Sequence, residues 1–241
     1  MKQHLCRVTE NRTLWADIQL LTLDAPGLVL HPGQFALARD PSTLDPYLRR
    51  TMWLYRIQDE RITFTLPVYD PLAVRARNGD IIDILGPLGR PVEFAPSARH
   101  ILLIGESVRI APLFAIADNA IAQQREVVLA CRGANILPAH LLAPEIEYRT
   151  DVSAFSPELI AWADAIVASG PGELYRVLAD AVRVARYRLE AGLARVLIDL
   201  PMPCGTGDCY ACAVDTRHGL QLACVDGPAF DLIDLENQSL R

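Results

Sequence analysis

The spacing of apolar and polar positions changes twice along the chain. Through residue 97 the apolar stretches are short and interrupted by turn residues. Trp15–Leu23 alternates loosely, Arg61–Leu66 is rich in β-branched and aromatic residues, and Ile81–Leu85 follows the turn Asn78-Gly79-Asp80. Prolines at 26, 32, 41, 46, 67, 71, 87, 91 and 96 leave no room for a long helix. This pattern predicts a small antiparallel β-barrel over residues 1–97. From residue 98 onward strands alternate with helices. His100–Gly105 reads as a short buried strand, and Pro112–Gln124 carries Leu113, Ile116, Ala117, Ala120 and Ile121 at helical spacing. A strand at Glu126–Cys131 follows. A further apolar run, Ala165–Ala168, ends at Ser169-Gly170-Pro171-Gly172 before a helical stretch over Glu173–Ala191. That alternation predicts a Rossmann-like parallel sheet over 98–199. Residues 200–241 form a third, cysteine-rich segment.

Composition narrows the function classes. A formal net charge of −6 supplies no basic footprint for nucleic acid. No apolar run approaches the ~18 residues of a membrane span, and the N-terminal residues carry no apolar export signal. Six cysteines in such a chain point to reduced thiols and metal ligation, in a cytoplasmic setting.

The third segment carries the strongest chemical signal. Cys204, Cys209 and Cys212 stand in C-x4-C-x2-C spacing, and Cys224 follows at a distance. This is the plant-ferredoxin spacing for a [2Fe–2S] cluster. An anionic cluster needs backbone N–H groups aimed at its sulfurs, and Gly205 and Gly207 allow the left-handed turns that do this. A structural zinc also takes four cysteines, usually as paired hooks without a Gly-x-Gly wrap, and disulfides suit an oxidising compartment. Cys6 and Cys131 have no such partners in sequence, and Cys131 reads as a small core residue. His31, His100, His140 and His218 form no metal-spaced set. The acidic residues near 231–236 read as a solvated tail.

Four further motifs add to the cysteines: Pro32-Gly33-Gln34-Phe35, Leu48-Arg49-Arg50-Thr51-Met52, Gly86-Pro87-Leu88-Gly89, and Cys224-Val225-Asp226-Gly227-Pro228. With them the chain resembles the electron-transfer subunit of dihydroorotate dehydrogenase, an iron–sulfur flavoprotein of the ferredoxin-reductase superfamily. The resemblance implies a barrel that binds FAD, a middle domain that binds NAD(H), and a tail cluster near the flavin. It also implies a flavoprotein catalytic subunit as partner, in a heterotetramer that serves pyrimidine biosynthesis. Arg50, Thr51, Met52 and Trp53 fall where relatives have the Arg-Pro-x-Ser flavin contact, with Tyr69 following on the barrel and Gly105 at the nucleotide loop.

The sequence departs from the family in three places. No Gly-Thr pair follows Leu66, where relatives contact the pyrophosphate. The nucleotide loop reads Gly105-Glu106-Ser107-Val108-Arg109-Ile110-Ala111-Pro112, with one glycine and an acid where phosphates sit; it predicts weak NAD(H) binding. The short stretch between Asp151 and Ala165 also lacks the family's Asp-Gly-Ser. An electron wire or scaffold that keeps the cluster but has lost NAD, with or without FAD, is the alternative reading.

Overall fold

The fold was analysed in a computed structural model, which describes residues 2–133, 136–150 and 155–235. Six strands close the N-terminal barrel: β1 (Lys2–Trp15), β2 (Ile18–Asp24), β3 (Phe35–Arg39), β4 (Arg50–Gln58), β5 (Arg61–Pro67) and β6 (Ile81–Leu88). They run antiparallel in the order β1-β2-β5-β4-β3-β6, so no edge is left open. The interior is filled by Leu21, Leu23, Met52, Phe64, Ile82 and Ile84. The loose alternation over 15–23 is not one strand. The chain turns at Ala16, with φ of 47°, so Trp15 ends β1 and Ile18 starts β2. A single short helix, α1 (Pro71–Arg75), sits between β5 and β6.

The second sheet comprises β7 (His100–Glu106), β8 (Glu126–Arg132), β9 (Ile146–Arg149), β10 (Ala165–Ser169) and β11 (Ala194–Leu197), all parallel to their neighbours. Alternate residues of β7 feed opposite faces: Leu102 and Ile104 join one core, Ile101 and Leu103 the other. Burial on both faces explains why this strand reads as a continuous apolar run. Cys131 likewise packs in the core beneath α2 (Leu113–Ala122). On the other face lie α3 (Pro157–Trp162) and α4 (Gly172–Arg186). The last helix stops short of residue 191 because Tyr187 turns left-handed, with φ of 65°.

The cysteine segment folds onto both domains. Its hairpin pairs β12 (Ala213–Thr216) with β13 (Gly219–Leu222), and β14 (Ala229–Asp231) adds antiparallel to β11 at the sheet edge. The expectation of a solvated acidic tail is therefore corrected. Leu232 and Leu235 are buried beside these acids. Asp231 accepts a hydrogen bond from the Gly192 N–H, and Asp234 pairs with Arg217. Glu236 lies outside the described residues, as does the 151–154 part of the stretch compared above. Between barrel and sheet, Arg56 bonds Asp118 at 3.0 Å and Tyr55 meets Phe114 edge-on at 5.1 Å. Among the described residues no helix is long and apolar enough to cross a membrane.

Candidate functional site: a four-cysteine loop beside an interdomain cleft

The loop over residues 203–212 must reverse direction several times, and its residues allow this. Gly205, Gly207 and Tyr210 all have positive φ, at 69°, 87° and 56°. A Cβ on Gly205 would lie 2.8 Å from Leu88 and 2.9 Å from Leu37, so the loop lies flat on barrel strands β3 and β6. The β12–β13 hairpin then closes the gap to the fourth cysteine. Ala213 pairs with Leu222, and the Ala223 N–H donates to the Cys212 carbonyl at 2.9 Å, which returns Cys224 to the side of Cys212.

The thiols stand in two adjacent pairs, Cys204 with Cys209 and Cys212 with Cys224. Cys212 and Cys224 are buried, Cys204 is half-buried and Cys209 is exposed. Burial raises the Cys204 thiol, but N–H groups of Thr206 and Cys209 outweigh it and bring the thiol down to about 6. Burial and the neighbouring Cys212 push Cys224 up to about 12, against an N–H from Gly207. Backbone donors thus aim at sulfur on both sides of the loop. Two thiol pairs with N–H support suit two irons, each taking two thiolates.

Two of the sequence motifs prove to hold each other. The Gln34 side chain accepts from the His31 N–H at 2.9 Å and donates to the Gly89 carbonyl at 2.9 Å. Gly33 packs so closely on Val92 that a Cβ would lie 2.5 Å from it. They brace the barrel wall on which the cysteine loop rests.

Beside the loop a cleft of about 430 Å³ opens between the barrel and the second sheet. Met202 and Pro203, directly before Cys204, form part of its wall. Of the expected flavin contacts, Arg50, Thr51 and Trp53 line it. Met52 points into the barrel core and Tyr69 is exposed outside the lining. The Arg50 Nε donates to Asp70 at 2.7 Å, and Asp70 in turn caps α1 by accepting from the Leu72 N–H at 3.0 Å. Sequence reasoning missed Asp70. Its signal was an Asp-Pro pair opening a helix, the usual N-cap followed by proline.

On the sheet side, β7 ends in a tight 3-10 turn over Ser107–Ile110 in place of a glycine-rich loop. Gly105 is required by packing, since a Cβ would lie 2.5 Å from Ile110. Glu106 lies at the carboxyl ends of the strands against Gly133 and Gly170, and pairs with Arg132 at 3.8 Å. Arg109 faces Asp199 across the cleft at 3.8 Å, and burial there raises the Asp199 carboxyl against the pull of Arg109. The Tyr175 hydroxyl accepts from the Gly170 N–H at 3.0 Å and donates to the Leu197 carbonyl at 2.6 Å, locking β10 to β11 beneath the cleft.

Barrel and parallel sheet together share the fold of ferredoxin-reductase-like proteins, with the four-cysteine segment added at the end. A solved structure of an NADH-dependent reduced ferredoxin-NADP oxidoreductase superposes with a TM-score of 0.76 at 20% identity, covering 95% of this chain and 89% of that one. The ferredoxin reductase in carbazole 1,9a-dioxygenase gives 0.63 at 18% identity, over 77% of this chain and 66% of that one.

In sequence the chain is similar to dihydroorotate dehydrogenase B. Residues 201–236 match the iron–sulfur cluster binding domain of that enzyme. The chain is also similar along nearly its whole length to proteins described as "Dihydroorotate dehydrogenase B (NAD(+)), electron transfer subunit". The Caldanaerobacter subterraneus subsp. tengcongensis protein is 25% identical over 241 residues, 93% of this chain and 94% of its own. That of Geobacillus sp. (strain WCH70) is 27% identical over 256 residues, 95% and 97% respectively.

Proposed function

We propose that the protein is the electron-transfer subunit of a flavin-dependent oxidoreductase of the dihydroorotate dehydrogenase type. Cys204, Cys209, Cys212 and Cys224 hold a [2Fe–2S] cluster, and the adjoining cleft holds the flavin ring of FAD between Thr51 and Trp53 of the barrel and Met202 of the cluster loop. The observation that carries this reading is the shared wall. The residues just before Cys204 line the cleft, so one loop serves both cofactors. When bound, a flavin exchanges electron pairs with a two-electron donor and single electrons with an iron–sulfur centre. The chain's own contribution is to fix both groups on rigid strands, with Gly205 seated on β3 and β6 and Tyr175 locking β10 to β11.

The partner in this reading is a flavoprotein catalytic subunit, joined with this chain in a heterotetramer in the cytoplasm. In this reading Gly105 and the turn after it stand at the nucleotide loop, and Glu106 makes NAD(H) a weak ligand here. Anaerobic purification followed by assay of iron, sulfide, zinc and flavin tests the cofactor set. The expected result is two irons and two sulfides per chain with bound flavin. A colourless protein carrying one zinc would overturn it.

A further inference from the structure

Six charged residues line the cleft, three of each sign: Arg49, Arg50 and Arg109 against Asp17, Asp70 and Asp199. None of the arginines is spare. Arg49 donates to Asp83 at 2.7 Å, Arg50 to Asp70 at 2.7 Å, and Arg109 stands 3.8 Å from Asp199. A diphosphate brings two negative charges and is usually met by an uncompensated arginine fork or by free amides at a helix start. Here the helix starts offer little. The N–H of Leu72 in α1 is taken by Asp70, and at the start of α2 the N–H of Phe114 is bonded to the Ala111 carbonyl. The N–H of Ala111 is bonded to the Val108 carbonyl. Phosphate sharing Arg50 through its Nη atoms would lie beside the Asp70 carboxylate, where attraction and repulsion cancel. Displacing Asp70 instead would strand a carboxylate only 3% exposed, which is strongly unfavourable. Trp53, Leu197 and Met202 meanwhile give the cleft apolar walls suited to a planar ring.

We infer that the cleft binds the ring of its flavin and not the phosphates, so that riboflavin, FMN and FAD are held with similar affinity. This rests on the reading that a flavin occupies the cleft. Asp70 acts as an internal substitute for phosphate, neutralising Arg50 and capping α1 at once. Recognition then depends on stacking and shape, and the phosphate end of the ligand lies in solvent.

The test uses the full chain with its cluster intact and its flavin removed, titrated with riboflavin, FMN and FAD while flavin fluorescence is followed. The three dissociation constants are expected within about tenfold of one another, since tenfold corresponds to about 1.4 kcal/mol, less than one charge-assisted hydrogen bond. Asp70→Asn keeps an acceptor for the Leu72 N–H and frees Arg50, so FMN and FAD should gain at least about tenfold over riboflavin. Should that variant lose its iron and fold poorly, Arg50→Gln serves instead and should leave the FAD-to-riboflavin ratio unchanged. An FAD preference over riboflavin above about tenfold in the unmodified protein, or its loss in Arg50→Gln, overturns the inference while leaving the proposed function standing. Failure of all three flavins to bind overturns both.

Discussion

The contact between the cysteine loop and the barrel yields a test in which glycines separate two costs. Gly205, with φ of 69°, faces Leu88 and Leu37 at 2.8 and 2.9 Å from the position of a Cβ. Gly219, with φ of 98°, turns the β12–β13 hairpin with open space around its would-be Cβ. Alanine at Gly219 therefore meets only the left-handed backbone cost, about 1–2 kcal/mol. Alanine at Gly205 meets that cost and an overpacking cost of about 1–3 kcal/mol, because its neighbours are core leucines with little room to retreat. The expected loss is thus roughly 2–5 kcal/mol for Gly205→Ala against about 1–2 for Gly219→Ala. Gly207→Ala should fall between, since its contacts at 3.2 Å are methyl ends of Leu222 and Val225. Urea unfolding of the cluster-loaded protein, followed by far-ultraviolet circular dichroism, gives the ordering, and iron content after desalting gives the consequence for the cluster. Gly205→Ala should lose iron where Gly219→Ala retains it. Equal destabilisation of the two variants would refute the seating of the loop on β3 and β6.

Serine at Cys204, Cys209, Cys212 or Cys224 should each remove or destabilise the cluster, measured as iron per chain and visible absorbance, while Cys6→Ser and Cys131→Ser leave iron unchanged. Asp83 is buried, which raises its carboxyl, but hydrogen bonds from Arg49 and Arg39 outweigh burial and hold it below the ordinary range. Its stabilising contribution is therefore complete above the unfolded-state value near pH 4 and falls away as pH drops through the lower folded value. Asp83→Asn should cost about 3–5 kcal/mol at pH 7 and flatten the acid limb of a thermal-melt series; an unchanged acid limb would show that the arginines do not control this carboxyl. Anaerobic titration with NADH should bleach the flavin and cluster bands only slowly, because Glu106 lies against Gly133 and Gly170 at the carboxyl ends of the strands. Glycine at Glu106, Ser107 and Val108 together should speed it, and rapid stoichiometric bleaching of the unmodified protein would contradict this reading of the loop.

How far the sequence disclosed this arrangement depended on the range of the interactions. The turns of the cysteine loop were legible because its glycines mark them locally, with Gly205 and Gly207 both left-handed. The parallel sheet was legible because strands buried on both faces leave unbroken apolar runs, as in β7 and β8. The barrel strands were only partly legible. The long β1 is exposed along much of one side and carries polar residues over Thr9–Thr13, so no clean alternation marks it. The acidic end looked solvated because nothing in the sequence shows that β14 completes the edge of a sheet begun more than a hundred residues earlier. Asp70 was hidden for the same reason: its partner Arg50 is twenty positions away, at the start of the neighbouring strand β4.

That long-range pairing changes what the familiar motifs mean in this chain. Arg50 taken alone is a phosphate fork, and Gly105 taken alone is the remnant of a nucleotide loop. In the folded protein Arg50 already holds a carboxylate, and Gly105 is there to admit Ile110. Both retain their places in the fold because the fold still needs them, as anchors of α1 and of the turn after β7. The cysteine loop differs in kind. Its left-handed residues, its seat on Leu37 and Leu88, and the hairpin that returns Cys224 to Cys212 all serve the thiols. An N–H aimed at sulfur contributes most to stability when that sulfur is ionised and ligating. The cleft, by contrast, is electrically balanced without any ligand. The chain's structure is therefore most committed at the four cysteines and least committed where Arg50 and Gly105 stand, and what the cleft offers a planar ring is the apolar lining of Trp53, Leu197 and Met202.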